Sequence, residues 1–369
     1  MLEDVHFNGW FRDPEDPRDY QAVFSAGAQL PRQVDLRPRC SPVENQRHIG
    51  SCVANAVVGA AEYLEAIATG SNRPPDLSRL FVYFNARYLH GAQMKDSGTY
   101  VRAAMASLTF YGVCLESIWP YDPSRYAQPP SAEAYRDAQK RQGLEYARIR
   151  PGDEIKQALA AGFPVAFGTA IPKACYVQAT NGGRLPMPDS VPQDEIVGHA
   201  MLLVGYDLDQ GHYIIRNSWG EEWGDRGYCY APLALIDTYP HSTDFWVLRR
   251  LEQDGSFEMI RPTGAGASGR TCPACGAAVS PGAKFCSACG KPLPPEAPGV
   301  PGMGAGTAGL PSHDGSTTGV SGGGAGSLLD EIDRRREQAR QNLDRRLEEN
   351  RRRLQEDIDR LLGRGKKDG

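Results

Sequence analysis

An apolar segment runs from Cys52 to Ile67, in which Val53, Val57, Ala61, Leu64 and Ile67 recur at helical spacing and Gly70 offers a stop. That period predicts a buried helix beginning at or near Cys52. Two further stretches, SRLFVYFNARYL and TYVRAAMASLTFYG, repeat apolar residues at three- and four-residue steps, so the chain from Pro31 to about Tyr121 reads as helical. The pattern changes from about Ala147 to Arg250. GDEIKQALAAG still reads as a helix, but PVAFGTAI is a short apolar strand, and AMLLVGYDLDQGHYIIRNSW reads as two strands joined by a polar turn. GYCYAP and DFWVLRR supply more strands. Helices first and strands afterwards predict an α+β architecture with a helical lobe, an antiparallel β lobe and a cleft between them.

Beyond residue 250 the periodicity lapses. Residues 251–270 form a short Gly-rich linker, 271–293 hold two CxxC pairs, and 294–327 are rich in Pro, Gly and Ser, as a flexible tether would be. Residues 328–363 read as one long charged helix. Its apolar positions Ile332, Leu343 and Leu354 recur at eleven-residue steps, a period suited to a straight or right-handed coiled coil. A solvated single helix held by i,i+4 ion pairs fits the same charges.

With 41 basic and 45 acidic residues the charge is near balance, which argues against a dedicated nucleic-acid or membrane-surface protein. The arginines of the last segment are interleaved with acids, so it does not read as a nucleic-acid arm. No stretch reaches the roughly 18 apolar residues a membrane span requires, and the acidic start lacks the apolar run of a signal peptide. Of nine cysteines, Cys40, Cys114, Cys175 and Cys229 read as unpaired buried residues, which points to a reducing, cytoplasmic setting.

Candidate chemistry concentrates where the first helix begins. Cys52 follows a Gly-Ser turn and opens an apolar helix, where unpaired N–H groups and the positive end of the dipole favour thiolate. Gln46 lies one loop upstream, where its amide could donate to an oxyanion forming beside the sulfur. His199, at the head of HAMLLVGY, is a candidate proton carrier, and Asn217, in YIIRNSWG, could orient its ring. Singly, each residue has a plainer reading as core or turn. Trp219 and Trp223 stand where they could shield an Asn217–His199 contact, and His48 reads as a loop histidine.

The order Gln46, Cys52, His199, Asn217, with NQRHIGSCVANA, GHAMLLVGY and RNSWGEEWGDRGY as matching blocks, resembles the papain-like cysteine peptidases over about Pro31 to Arg250. The bacterial xylellain-like branch is a closer match, through LPRQVDLRPRCSPVENQ, GSCVANA and the DSG and WPY stretches. Ile49 replaces a cysteine usual in the family, which removes a family disulfide, and Val53 replaces an aromatic residue. The resemblance implies a two-lobed fold and peptide-bond hydrolysis through a Cys–His pair and an acyl-enzyme thioester. It places Gly98 and Thr99 on the cleft edge that receives substrate backbone. An acyl transferase or ligase using the same site, and a non-catalytic peptide-binding adaptor, remain alternatives.

Residues 1–30 carry Trp10, Phe11, Tyr20 and Phe24 among prolines and aspartates. The family is generally made with an inhibitory N-terminal propeptide, and this segment is shorter than its usual helical form. Two readings stand: an arm lying on the cleft and restraining it, or a structural arm. Cys272, Cys275, Cys286 and Cys289 have the spacing of a tetrahedral structural Zn²⁺ site with four thiolates and no open position. Expected partners are a peptide or protein substrate, plus self-association or a partner protein through the ribbon and the last helix.

Overall fold

The computed structural model describes residues 7–16, 19–24, 29–141, 144–250 and 258–260. The four cysteines read as a zinc ribbon and the stretches 294–327 and 328–363, read as a tether and a charged helix, lie outside them. The chain divides into two units, Met1–Ala265 and Gly266–Gly369, and all the described residues belong to the first.

Chain order begins with two short strands of the N-terminal arm, β1 (Trp10–Phe11) and β2 (Gln21–Val23), and continues with β3 (Gln33–Asp35). Helices α1 (Cys52–Thr69) and α2 (Arg79–Tyr88), strand β4 (Thr99–Tyr100), and helices α3 (Val101–Tyr111) and α4 (Ala132–Ala138) build the helical part. Then follow β5 (Leu144–Arg148), α5 (Asp153–Ala160), β6 (Val165–Pro172), α6 (Lys173–Gln178), β7 (Ile196–Asp207) and β8 (His212–Arg216). Strand β9 (Tyr228–Pro232), helix α7 (Leu233–Asp237), β10 (Ser242–Arg250) and β11 (Glu258–Ile260) complete the described chain.

α1 begins at Cys52, where the apolar period places it, and is buried on every side from Cys52 to Leu64. A helix apolar all round belongs in a core. Its end is set by Gly70, whose φ of 63° lets its N–H reach the carbonyls of Ala66 and Ile67. α2 starts at Ser78, whose hydroxyl accepts from the N–H of Phe81.

The nine-stranded sheet runs β11-β2-β5-β10-β6-β7-β8-β9, with β3 paired to the far end of β7. Every pairing in it is antiparallel except β2 with β5. The α+β class follows the periodicity, but four details depart from it. Thr99–Tyr100, at the head of a stretch read as helical, is strand β4, and Glu258–Ile260, within the stretch read as a linker, is strand β11. Two more lie nearer the start of the chain. Gln33–Asp35, inside the stretch read as helical, is a strand, because Tyr206 and its neighbours on β7 offer an open edge there. Part of the N-terminal arm is also built into the main sheet as β2, which no alternation in QAV could announce. Among the described residues no helix is long and apolar enough to cross a membrane.

A buried pair ties α1 to the strand that precedes Asn217. Arg216 and Glu62 are 5% and 2% exposed and lie 3.9 Å apart. Arg216 also donates to the Pro42 carbonyl, while Glu62 accepts from the Leu77 N–H at 2.9 Å and from the Ser41 hydroxyl. Burial raises the Glu62 carboxyl to about 7, against the opposing pull of Arg216. A raised carboxylate costs stability as pH climbs through that value, because the folded state must then hold the charge. Replacing Arg216 by Met removes the charge that offsets it. We expect a loss of roughly 3–5 kcal/mol near pH 9 and a smaller loss near pH 6, where Glu62 takes up a proton. Thermal unfolding across that range tests this. A gap between variant and parent that does not vary with pH would contradict it.

Candidate active site

The loop from Gln46 to Ser51 is fixed before it delivers Cys52. The Gln46 N–H donates to the Ser218 carbonyl at 2.8 Å, its Nε2 to the Ile49 carbonyl at 3.2 Å, and its Oε1 accepts from the Ser218 hydroxyl at 2.7 Å. Tyr121 donates its hydroxyl hydrogen to the Gln46 carbonyl at 2.8 Å. Its oxygen therefore accepts from Ser51 Oγ, 2.5 Å away. Gly50 N–H donates to Asp96 at 2.9 Å, and Asp96 also receives the Tyr83 hydroxyl. Cys52 then opens α1 at zero exposure.

His199 lies on β7 with Nε2 2.8 Å from Asn217 Oδ1. That oxygen also accepts from the Ser218 N–H at 2.8 Å, so the amide orientation is fixed and the imidazole hydrogen sits on Nε2. Nδ1 is left as a bare lone pair with no hydrogen-bond partner among the described residues. Trp219 stacks on the imidazole at 4.6 Å, Tyr176 meets it edge-on at 5.7 Å, and Trp223 closes on Trp219 at 4.9 Å. These rings keep water from the Asn217–His199 bond. The backbone N–H of Ala200, next to His199 on β7, is among the groups that pull the buried Cys52 thiol down, which puts thiol and imidazole in one buried patch.

The N-terminal arm runs through this patch. Asn8 N–H donates to the Gly198 carbonyl at 2.9 Å, and its side-chain oxygen accepts from the Gly198 N–H at 2.8 Å. Gly9 passes directly over the thiol: a Cβ added there would lie 2.9 Å from the Cys52 sulfur and 2.6 Å from the Gly50 carbonyl oxygen. Its own carbonyl accepts from the Thr99 N–H at 3.1 Å, and β1 then pairs in parallel with β4. Gly98, at a φ of 79°, makes room for this because its missing side chain would strike the Gly9 carbonyl. Gly98 and Thr99 thus line an edge that does receive peptide backbone, here the chain's own.

Trp10 buries its indole against Gly168 and donates Nε1–H to Asp244 at 3.1 Å. Asp13 N–H donates to the same carboxylate at 2.7 Å, and Trp246 donates to Asp13 at 2.8 Å. Arg148 reaches Asp13, Asp19 and Asp244, and Arg102 holds Asp19 at 2.6 Å. Burial, then repulsion from Asp244, pushes Asp13 up to about 6 against its arginine and tryptophan partners. Burial likewise raises Asp244.

Under the arm, the electrostatics expected at a helix start are reversed. Burial pushes the Cys52 thiol up to about 12, outweighing the backbone N–H groups that pull it down, and lowers His199 to about 4 despite its bond to Asn217. With the arm docked, both groups are neutral at ordinary pH.

A papain family cysteine protease model matches residues 30–233. The chain belongs to the papain family of cysteine proteases. It is a cysteine-type peptidase. Xylellain, a cysteine protease from Xylella fastidiosa, is similar at 34% identity and a TM-score of 0.60, over 66% of this chain and 95% of that one. A peptidase C1-like protein of Acanthamoeba polyphaga mimivirus is 34% identical over 60% of this chain and 73% of its own length. Cathepsin K of Gallus gallus is 32% identical over 54% of this chain, which spans 58% of the cathepsin. A zinc-ribbon domain model matches residues 271–293.

Gln46, Cys52, His199 and Asn217 therefore come together, and Gly98 and Thr99 hold the Gly9 backbone that lies over Cys52. His48 is an exposed loop residue, and Ile49 packs into the core in place of the cysteine the resemblance leads one to expect. Cys114, Cys175 and Cys229 are free and buried, whereas Cys40 is only half-buried. The Asp13–Asp19–Arg102–Arg148–Asp244 cluster had no signal beyond the aspartates among the arm's aromatics. Asp244 owes its place to a bulge in β10 and a positive φ.

Because docking neutralises the thiol, iodoacetamide should label Cys52 slowly in the full chain, with the rate still climbing at pH 10. A leucine at position 9 has no space over the sulfur, so Gly9→Leu expels the arm without deleting it. That variant should label at least about tenfold faster near pH 7, as the thiol returns toward its ordinary value of about 8.5. Equal rates, with labelling located by mass spectrometry, would contradict arm control of the thiol.

Proposed function

We propose that the chain is a latent cysteine peptidase that works on peptides or proteins once residues 1–30 leave the cleft. The reading is carried by the Nε2–H bond to Asn217, which leaves Nδ1 of His199 as a free base in the patch that holds the thiol. With water readmitted, the proton of Cys52 passes to His199. The thiolate attacks the peptide carbonyl, and Gln46 Nε2 and the Cys52 N–H stabilise the oxyanion by roughly 3–4 kcal/mol per well-placed donor. Imidazolium then protonates the departing amine as the C–N bond breaks. His199 next takes a proton from water, whose oxygen attacks the thioester and releases the acid and the thiol. Acyl transfer and a purely binding role draw no support from the relatives.

The arm is read as the restraint because Gly9 occupies the space over the sulfur that a scissile bond would need. In a peptide-library digest, Gly9→Leu should cleave at least about tenfold faster than the full chain, the gain expected if opening is the limiting step. Cys52→Ala added to it should abolish cleavage. A folded Gly9→Leu protein no faster than its parent would refute latency, and a Cys52→Ala variant that still cleaves would refute the nucleophile.

The second module is read as a structural zinc ribbon. Two CxxC pairs supply four thiolates, the donor set of a closed tetrahedral site, and a segment this short depends on the metal for its folding. Elemental analysis should find one zinc per chain, lost when Cys272 and Cys289 become Ser, with peptidase activity of Gly9→Leu retained. A metal-free wild-type chain would overturn the assignment. The ribbon and the charged 328–363 segment are assigned to self-association or partner binding, in a reducing, cytoplasmic setting suited to free thiols.

A further inference from the structure

The last described strand lies on the arm, not on the peptidase body. β11 follows β10 in sequence yet is not its neighbour in the sheet. It crosses β5 and β2 to form the outermost strand, antiparallel to β2, with Glu258 opposite Val23, Met259 opposite Ala22 and Ile260 opposite Gln21. On its inner side β2 is registered with β5 through Gln21 and Arg148 alone, beside the Arg148 N–H to Tyr20 carbonyl bond at 2.8 Å. Three of the four strand pairings that hold β2 therefore come from β11. Without them β2 would end the sheet as a three-residue edge strand held by one parallel pair, too little to keep this part of the arm in the sheet. Ala22 is buried and Met259 packs against the core, so the clasp also closes an apolar seam.

We propose that residues 258–260 are a clasp that keeps the N-terminal arm docked, so that the segment leading to the zinc-ribbon match at 271–293 controls opening of the cleft. The proposal rests on the reading of the arm as the restraint. It makes latency a joint property of the two ends of the peptidase domain. Trp10 and the aspartates hold the arm near the sulfur, and β11 holds it where it enters the sheet. Loosening β11 frees β2, and the arm then peels toward Gly9 without any change at Cys52 or His199.

Adjacent residues of an antiparallel strand alternate in facing the partner with their N–H, so of Glu258 and Met259 only one donates to β2. Proline at that position deletes a ladder bond, while proline at the other serves as a control for general disruption. In the full chain, one of Glu258→Pro and Met259→Pro should raise the rate of Cys52 alkylation, and of peptide cleavage, by roughly five- to tenfold. Placed in the Gly9→Leu background, where the arm is already out, the same proline should change neither rate. Hydrogen exchange at Ala22 should quicken in the sensitive variant alone. The clasp is refuted if both proline variants alkylate at the parental rate while Gly9→Leu alkylates faster, or if proline accelerates the Gly9→Leu protein equally. Should Gly9→Leu alkylate rapidly yet cleave no peptide, the peptidase reading fails and the alkylation rates still decide the clasp.

Discussion

Everything near the reactive sulfur depends on how closely one backbone can approach another. The arm lies over Cys52 only because three residues lack side chains where they meet: Gly9 over the thiol, Gly98 under the Gly9 carbonyl, and Gly168 under the indole of Trp10. A side chain at any of these would hold the arm off and admit water. The close fit accounts for the zero exposure of Cys52 and His199, and that exposure in turn sets their charge.

Occlusion and chemical silence thus have one cause. A steric plug excludes substrate but could leave a charged thiolate–imidazolium pair intact beneath it. Here the same backbone also removes the water that would stabilise the charges, so the thiol rises and the imidazole falls until neither is ionised near neutrality. The start of α1 still presents its N–H groups to the sulfur, but these are the smaller effects. The helix dipole argument is sound for a solvated cleft and is overridden in a dry one.

Much of this was legible in the residues. The helix from Cys52 to Gly70 followed from apolar spacing and a glycine stop. Gln46, His199 and Asn217 were found through motif order because their roles need fixed residue types. The strand at Gln33–Asp35 and the joining of β2 to the sheet were not legible, since neither has a period of its own and both exist because a distant edge was open. The charge cluster around Arg148 was hidden for a related reason. Asp13, Asp19 and Asp244 are far apart in sequence, and an aspartate in a Pro-rich arm looks like a solvated loop until its partner is known.

The arrangement also separates holding from blocking. Gly9, which blocks, has no side chain to contribute binding energy and makes one backbone bond to Thr99. The holding is done elsewhere, by the Trp10 indole, by the carboxylates on Arg102 and Arg148, and by β2 between β5 and β11. Had the blocking residue also been the anchor, release would have required a competitor inside the cleft, in contact with Cys52. Because β2 and β11 hold the arm at the sheet edge, a change there can lift it while the Gln46 loop, the Asn217–His199 bond and the Trp219 stack stay as they are. The site can therefore be assembled in advance and kept inert, with its opening governed from outside the cleft.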